Sequence, residues 1–265
     1  MQKKENRKLN PIKEIPKEAK VKSLYKAIQV LLYFTEEVKE LGVTELAEKS
    51  GLLKSTISNI MSTYEVCGIV KRNPKTNKYR LGLKVLELSN CFYYNDDIRK
   101  VMRSCMEKIA EQVKEIVYLA VFYEEEIIYL DAAFPVYSIG SRNMTGVKAP
   151  AYCTGIGKVL LAYEKEEVID RIISKGLEPF TQNTITEAEV LKKELARIRE
   201  QGYAVDNMEH EFGIRCVAVP IKNYEGIVRA AISVSGPSLR LQDERIEEVS
   251  ILLQETVEAV SWQLR

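Results

Sequence analysis

The stretch VTELAEKSGLLKSTISNIMSTYEVCGIVKRNPKTNKYRLG, residues 43–82, decides the fold of the N-terminal part of this chain. A short helical pattern is followed by Gly51, then by a second helical pattern and a basic hairpin pattern. Gly51 suits the turn between the helices because glycine tolerates a positive φ. This order of elements is the one that a helix-turn-helix with a trailing β wing needs to grip duplex DNA.

The second helix of this pair is predicted over about residues 54–66. Four residues repeat at i, i+3, i+4 and i+7 and should face the core: Ile57, Ile60, Met61 and Tyr64. The opposite face is short, polar and uncharged, so it can approach base edges in a major groove. The predicted DNA contacts there are Lys54, Ser55, Thr56, Ser58, Asn59 and Ser62. Among them, Asn59 can pair with adenine, and the helix start near Lys54 favours a phosphate.

The basic hairpin is predicted as two short strands, residues 69–71 and 78–81, around Asn73-Pro74-Lys75-Thr76-Asn77. Its cations are predicted to follow the DNA backbone or to enter the minor groove. They are Arg72, Lys75, Lys78 and Arg80.

A further helix is predicted before this stretch, since apolar residues recur at helical spacing from Lys22 onward. They are Leu24, Ala27, Ile28, Leu31 and Leu32. Thr44 is the predicted N-cap of the first helix of the helix-turn-helix, because a threonine oxygen can accept from a first-turn amide.

Charge is divided unevenly along the chain, although the net charge is only +1. Residues 1–81 hold 17 Lys and Arg against 9 Asp and Glu, whereas residues 82–265 hold 22 against 29. A basic N-terminal third indicates a part that binds a polyanion. Residues 1–20 are predicted as a flexible basic arm. Its cations, which either assist DNA binding or belong to a solvated tail, are Lys3, Lys4, Arg7 and Lys8.

Composition excludes several classes of protein. The longest uncharged apolar runs are strand-sized, well short of the roughly 20 residues of a membrane helix, and the N-terminus has no apolar signal segment. Five cysteines are widely spaced without a CxxC pair. We therefore expect a reduced, cytoplasmic protein with no membrane segment.

The remaining chain is predicted as an α+β domain on a largely antiparallel sheet with flanking helices. Strands are expected at residues 116–123, 126–132, 203–209, 214–221 and 227–235, helices from residue 155 and at 164–175, 187–201 and 241–264, and a loop across 134–153. The predicted domains are the arm 1–20, a winged helix-turn-helix 21–82, a helical linker and dimerisation segment 83–105 and an effector-binding domain 106–265. The linker either transmits motion rigidly or only packs a dimer.

A candidate ligand site involves three predicted strands and one helix start. Ser233 and Ser235 lie two apart on an apolar strand, so both hydroxyls share a face and, if buried, need partners. Cys216 lies on the preceding strand and Asp206 on the one before. The turn Gly155-Ile156 opens a helix whose free amides favour an anion. These residues predict a site for a small organic acid, with Asp206 accepting from a ligand hydroxyl, unless the serines bond only to backbone and the thiol is plain core.

Six segments resemble the IclR-type transcription regulators in both order and spacing. In the N-terminal half they are KSLYKAIQVLLYF (22–34), VTELAEKSGLLKSTISNIMSTYEVCGIV (43–70) and YRLGLKVLEL (79–88). In the C-terminal half they are AYCTGIGKVLLAY (151–163), GYAVDNMEHEFGIRCVAVPI (202–221) and AAISVSGPSLRL (230–241). The resemblance spans about residues 21–265. Ser58-Asn59 stands where many members carry a His-Arg or Tyr-Arg pair. The resemblance therefore does not imply the same operator sequence.

The resemblance implies a GAF/profilin-like effector domain in a ligand-responsive transcriptional regulator. We expect a repressor that responds to a small organic acid and needs no cofactor. The resemblance also implies a homodimer or a dimer of dimers on double-stranded operator DNA. The positions that match the family's effector pocket are Gly155, Ile156, Asp206, Cys216, Ser233 and Ser235, and Glu209 and His210 are weaker candidates beside them.

Other functions were weighed against this one. TGIGK is not a nucleotide-binding P-loop, since Val159 follows the lysine. Cys216, His210 and Asp206 lack an oxyanion signature, so no enzyme activity is expected. A metal held by Cys153, Cys216, His210 and Asp206 is chemically possible, but the spacing is not that of a ligand set and no metal is expected. The remaining alternative is a small-molecule sensor or assembly module whose helical head binds a protein partner.

Overall fold

The computed structural model describes residues 12, 15–35, 37–95, 97–136 and 142–264. The chain folds as two compact units, Met1–Asn95 and Asp96–Arg265. Residues 1–11, which hold Lys3, Lys4, Arg7 and Lys8 of the predicted arm, lie outside the described residues. The finer division into arm, head, linker and effector domain stays a prediction.

The N-terminal unit contains a helix-turn-helix followed by a two-stranded wing. Its elements are α1 (Lys22–Leu31), α2 (Val43–Ser50), α3 (Lys54–Val66), β1 (Val70–Arg72), β2 (Tyr79–Leu81) and α4 (Leu83–Asn95). Strands β1 and β2 are antiparallel, with Lys71 opposite Arg80. Its core includes Val30 of α1, Leu46 of α2 and Ile57 of α3, each fully buried. The predicted winged fold is confirmed.

The start of α2 differs from the prediction. Thr44 is not the N-cap; Gly42 occupies that position, and its amide donates to Glu45 Oε2 at 2.7 Å. The carboxylate at the third helical position therefore does the work expected of a threonine hydroxyl. The predicted turn is correct, because Gly51 ends α2 with a φ of 71°.

Two helices of this unit leave apolar side chains in solvent. The predicted apolar stripe on α1 is only partly covered: Leu31 packs against the core beside the buried Val30, whereas the other side of the helix exposes Val21, Leu24, Ile28 and Leu32. Helix α4 exposes Leu83 and Leu86 on one side and Leu88 and Phe92 on the opposite side. A helix that is apolar on opposite sides is normally covered by other protein.

The C-terminal unit is a six-stranded antiparallel sheet between two helical layers. Its elements are α5 (Asp97–Val113), β3 (Ile116–Tyr123), β4 (Glu126–Ala133), β5 (Lys148–Pro150), α6 (Gly155–Ala162), α7 (Glu166–Ser174), α8 (Ala188–Gln201), β6 (Ala204–Asn207), β7 (Ile214–Lys222), β8 (Val228–Pro237) and α9 (Asp243–Val260). The strand order is β5-β4-β3-β8-β7-β6, and every pairing is antiparallel. The predicted α+β class is confirmed.

Alternating strand residues divide the core into two clusters, one on each face of the sheet. Ala218 and Ala231 pack with α6, α7 and α8, whereas Val217 and Ile232 pack with α5 and α9. Helix α6 is buried along its whole length. The face that it covers is also the face that carries Ser233, because residues 231 and 233 point the same way.

Two features at the edges of this sheet were not predicted: a short strand at one edge and side-chain hydrogen bonds at the other. Strand β5 lies inside the segment predicted as a loop across 134–153, so that prediction is wrong for residues 148–150. At the other edge, side chains bond the backbone of β6 and the residue before it. Gln201 Nε2 donates to the Tyr203 carbonyl, Lys158 Nζ to that of Val205, and Asn183 Nδ2 to that of Asn207.

Candidate DNA-binding surface and effector site

The polar face of α3 lies in solvent. Ser55, Ser58, Asn59 and Ser62 are exposed and Thr56 is half-buried, while Ile57 and Met61 are fully buried. Ile60 and Tyr64 are half-buried against the same core. The inward and outward faces of the helix are therefore as the periodicity predicts, and the outward face has room for base edges.

The first turn of α3 leaves its amides uncapped by a side chain. The N-cap is Leu53, whose side chain forms no capping bond, and Lys54 beside it is exposed. Unbonded first-turn amides and a neighbouring ammonium group favour a phosphate. Farther along, Thr63 Oγ1 donates to the Asn59 carbonyl at 2.9 Å.

The cations of the wing are not all equally available for contact with DNA. Lys75 is exposed at the tip, and the Arg72 guanidinium lies over the Tyr79 ring at 5.8 Å from its centroid. Lys78 instead forms an ion pair with Glu45 of α2, at 2.8 Å. Hydrogen bonds from Lys78 and the Gly42 amide lower the pKa of Glu45, so this carboxylate stays charged. Contact between Lys78 and a phosphate would have to compete with Glu45.

The sheet register brings together the effector residues predicted on β6, β7 and β8. Asp206 lies opposite Cys216, and Cys216 lies opposite Ser235. The Cys216 thiol donates to Ser235 Oγ at 3.1 Å. Ser233 shares that face of β8 and is only 3% exposed.

The start of α6 closes the site from above the sheet. A side-chain carbon placed on Gly155 would lie 3.4 Å from Cys216 Cβ and 3.6 Å from the backbone nitrogen of Asp206, so the glycine backbone packs directly on these residues. Thr154 caps the helix by accepting from the Gly157 amide at 3.1 Å. The Ile156 side chain, in contrast, is buried in the apolar core, so only its backbone can serve a ligand.

Asp206 is the most perturbed acid of the site. Asp206 is 3% exposed, and burial raises the pKa of its carboxyl to about 7. Its Oδ1 accepts from the Glu209 amide at 2.7 Å. Burial, and then the nearby Asp206 carboxylate, raise the pKa of the Cys216 thiol. The thiol therefore stays protonated and acts as a hydrogen-bond donor.

Two tyrosines of this neighbourhood were not predicted from the sequence. Tyr118 lies opposite Ser233 in the register, and its ring meets that of Tyr129 edge-on with centroids 5.2 Å apart. Burial raises the pKa of Tyr118 to about 12, and burial with Cys216 also raises the pKa of Tyr129. Cys153, considered above only as a metal ligand, is buried just before α6, and Asp206 helps to raise its pKa after burial itself. The tyrosines reach the site only through the pairing of β3 with β8 and with β4.

A separate cavity of about 600 Å³ lies at the β6 edge. Residues of α8, β6 and α9 line it, including Arg197, Val205 and Glu247, and none of the six predicted effector positions does. Glu209 lines it as well, so this glutamate stands between the cavity and Asp206. His210, the other weaker candidate, packs its ring 5.1 Å from that of Phe180.

This geometry describes a class of protein: a DNA-binding head with an exposed polar recognition helix and a second unit with a polar, buried ligand site. Comparisons with known proteins agree. Residues 23–74 match the IclR helix-turn-helix domain, and residues 92–262 match the C-terminal domain of bacterial transcriptional regulator IclR. The chain belongs to the IclR family.

Relatives and solved structures extend the match over nearly the whole chain. The HTH-type transcriptional regulator KdgR of Escherichia coli strain K12 is 34% identical over 92% of this chain and 93% of its own length. The crystal structure of an IclR-type regulator from Alicyclobacillus acidocaldarius superposes with a TM-score of 0.82 at 28% identity, covering 90% of this chain and 97% of that one. An IclR homologue from Microbacterium hydrocarbonoxydans complexed with 4-hydroxybenzoate gives 0.80 at 26% identity, covering 92% and 99%.

The chain is accordingly a ligand-responsive, DNA-binding transcriptional regulator, and a head that binds only a protein partner is not favoured. The relatives are regulators rather than enzymes. Within the described ranges, no helix is long and apolar enough to cross a membrane, and no three Cys, His, Asp or Glu residues group as metal ligands. The individual DNA and effector contacts stay predictions.

Proposed function

We propose that this regulator binds a roughly two-fold symmetric operator as a homodimer, or as a pair of dimers, and acts as a repressor. A small hydroxylated organic acid, bound between α6 and the sheet, changes its affinity for DNA. The observation that carries the proposal is the exposed face of α3, where Ser55, Ser58, Asn59 and Ser62 present short, uncharged polar side chains.

The proposal assigns different work to the helix and to the wing. Asn59 and its serine neighbours read base edges in the major groove, where their short side chains fit. Lys54, the uncapped first turn of α3, Arg72 and Lys75 contact phosphates and fix the register on the duplex. Lys78 joins them only when its pairing with Glu45 is broken.

The dimer is proposed from apolar surface that the chain leaves in water. Leu24 and Ile28 of α1 are 56% and 49% exposed, and Leu83 and Leu86 of α4 are 80% and 67% exposed. Leu24 and Ile28 are neighbours on one face of α1, as Leu83 and Leu86 are on one face of α4, and exposed apolar pairs of this kind mark protein interfaces. A second copy of the chain is the natural partner, since a two-fold operator requires two recognition helices.

Dimerisation is tested by placing a charge on this surface. Leu86→Lys should turn the dimer into a monomer in analytical ultracentrifugation, because a buried unpaired ammonium is costly. Leu239→Lys is the matched control, since Leu239 is 84% exposed in the other unit. An unchanged sedimentation coefficient for Leu86→Lys would contradict an interface that includes α4.

The effector proposal is supported by the chemistry of the buried site. Its donors, the Cys216 thiol and the amides at the start of α6, favour a carboxylate. Ser233 and Ser235 can either donate or accept, and Asp206 can accept from a ligand hydroxyl when ionised. The relative in complex with 4-hydroxybenzoate binds an acid that carries one hydroxyl.

A thermal-shift screen of small organic acids tests this site. An acid that binds the folded protein raises its melting temperature as its concentration increases. Ser235→Ala should remove the shift without abolishing binding to DNA. Ser250→Ala is the matched control, because Ser250 is a buried serine of α9 that donates to the Glu247 carbonyl. If both Ser235→Ala and Ser250→Ala keep the full shift in melting temperature, the ligand binds elsewhere.

A further inference from the structure

Lys158 of α6 is a buried lysine with three acceptors. Its side chain is 1% exposed. Its Nζ lies 2.5 Å from Glu209 Oε1, 2.7 Å from the Val205 carbonyl and 3.2 Å from Glu194 Oε1. A lysine buried to this extent loses its hydration, and here two carboxylates and a carbonyl replace the water around its Nζ.

These acceptors connect Lys158 to the candidate effector site. Val205 directly precedes Asp206 on β6. Glu209 follows β6 and donates its amide to Asp206 Oδ1 at 2.7 Å. The connection therefore runs from the helix whose first residue packs on Cys216, through Lys158 and Glu209, to the Asp206 carboxyl. Lys158 reaches the site through other residues, which makes its role one of positioning.

We propose that Lys158 and Glu209 act as a positioning pair that holds β6 against α6 and sets the charge carried by the Asp206 carboxyl. The inference rests on the proposed function only in taking Asp206 as an effector contact. The pair, its geometry and its electrostatic effect are properties of the protein without a ligand.

The two members of the pair act on Asp206 in opposite directions. Burial raises the pKa of Asp206 to about 7; the backbone amide of Glu209 opposes that rise, the Glu209 carboxylate adds to it, and the Lys158 ammonium opposes it. Replacing the Glu209 side chain keeps the amide, so only the effect of the carboxylate is removed. The other titratable groups nearby include Cys216 on β7, Cys153 before α6, Tyr129 on β4, Glu194 on α8 and His210, whose backbone amide also donates to Asp206. The thiols and the phenol are neutral near pH 7, because burial raises the pKa of each.

The experiment measures the titration of Asp206 directly. The chain has six aspartates, so labelling their carboxyl carbons gives a simple NMR spectrum, and Asp206→Asn assigns the signal. Glu209→Gln should lower the titration midpoint by about one pH unit, because a negative neighbour is lost. Lys158→Met should raise it by a similar amount, because a positive neighbour is lost. The double variant should return close to the wild-type midpoint.

Shifts of the Asp206 midpoint in opposite directions distinguish an electrostatic pair from residues whose loss only loosens the structure. If the residues only supported packing, both substitutions would admit water and both midpoints would fall. Lys192→Met is the matched control, since this lysine of α8 pairs with Glu166 and Asp170 instead. Should Lys158→Met fail to fold, Lys158→Gln replaces it, because loss of the positive charge should still raise the midpoint. A lowered or unmoved midpoint in the Lys158 variant, an unmoved or raised midpoint in Glu209→Gln, or an equal shift in Lys192→Met, would overturn the proposal.

Discussion

The recognition helix and the effector sheet use the same kinds of side chain in opposite surroundings. Ser58 and Asn59 of α3 are exposed, whereas Ser233 and Asp206 in the sheet are each 3% exposed. An exposed polar group costs little when the protein folds, so its replacement changes binding and leaves stability nearly intact. A buried polar group needs partners to offset lost hydration, so its replacement also changes stability and its pH dependence.

The largest expected effect that tests this contrast is on stability at Asp206. Its folded pKa of about 7 lies above the ordinary value of 3.8. For an acid with a raised pKa, the stabilising form is the protonated one, which is fully present below the unfolded pKa. Its contribution disappears as the pH rises toward 7. Because each pKa unit corresponds to about 1.4 kcal/mol, Asp206→Asn should stabilise the protein at pH 8 by on the order of 3 kcal/mol.

Thermal unfolding at pH 5 and pH 8 measures this difference. The gain from Asp206→Asn should be larger at pH 8 than at pH 5. Ser58→Ala, on the exposed face of α3, should change the melting temperature little at either pH. An equal gain in stability from Asp206→Asn at pH 5 and pH 8 would contradict the raised pKa of Asp206. The buried site would then resemble the face of α3, where replacement has no pH-dependent effect on stability.

The second prediction concerns base reading by α3. Asn59→Ala should remove about 1–3 kcal/mol of base discrimination while leaving stability almost unchanged. Enrichment of random duplexes by the wild type and by the variant measures this, and the preference should relax at one position of each half-site. An equal loss of affinity for all duplexes would instead assign Asn59 to the phosphate backbone.

The third prediction concerns the exposed cation at the tip of the wing. Lys75→Ala should weaken binding to every duplex and lower the slope of log affinity against log salt by about 0.9 for one lost phosphate contact. Lys192→Ala, in the other unit, supplies the control. A slope that stays the same would remove Lys75 from the DNA surface.

The smallest effect is expected at Lys78, which Glu45 already holds. Lys78→Ala should lower DNA affinity less than Lys75→Ala does, because an exposed ion pair must first be broken. Glu45→Gln should raise affinity, by about 1 kcal/mol or less, since it releases Lys78 of the wing and removes a negative charge of α2 beside it. Competitive binding at one fixed salt concentration ranks these variants. A larger loss for Lys78→Ala than for Lys75→Ala would reverse the assignment.

The sequence predicts the long elements well and the contacts between distant ones poorly. Periodicity predicted the inward face of α3 and the strands β3, β7 and β8, since each runs long enough to show its repeat. Strand β5 was missed because three residues ending in Pro150 carry no measurable alternation. The N-cap at Gly42 was missed because the capping group is the Glu45 side chain three residues later.

In the candidate effector site, the residues on one face could be predicted, but not those brought to it by strand pairing. The two-residue spacing alone predicted that Ser233 and Ser235 lie on the same face of their strand. Tyr118 meets Ser233 through a register between strands more than a hundred residues apart. Lys158 reads as one more charged residue in a helix, and only tertiary packing reveals that its ammonium is buried. The apolar stripe of α1 was predicted from its spacing but its exposure was not, since periodicity does not say which partner covers an apolar face.

The side chains bonded along the β6 edge have a consequence for assembly in the cell. A bare outer strand offers its amides and carbonyls to any passing extended peptide, which is how sheets fuse and aggregate. Here Gln201, Lys158 and Asn183 already occupy three of those carbonyls. Copies of this regulator crowded on neighbouring operators would therefore resist joining sheet to sheet along this margin.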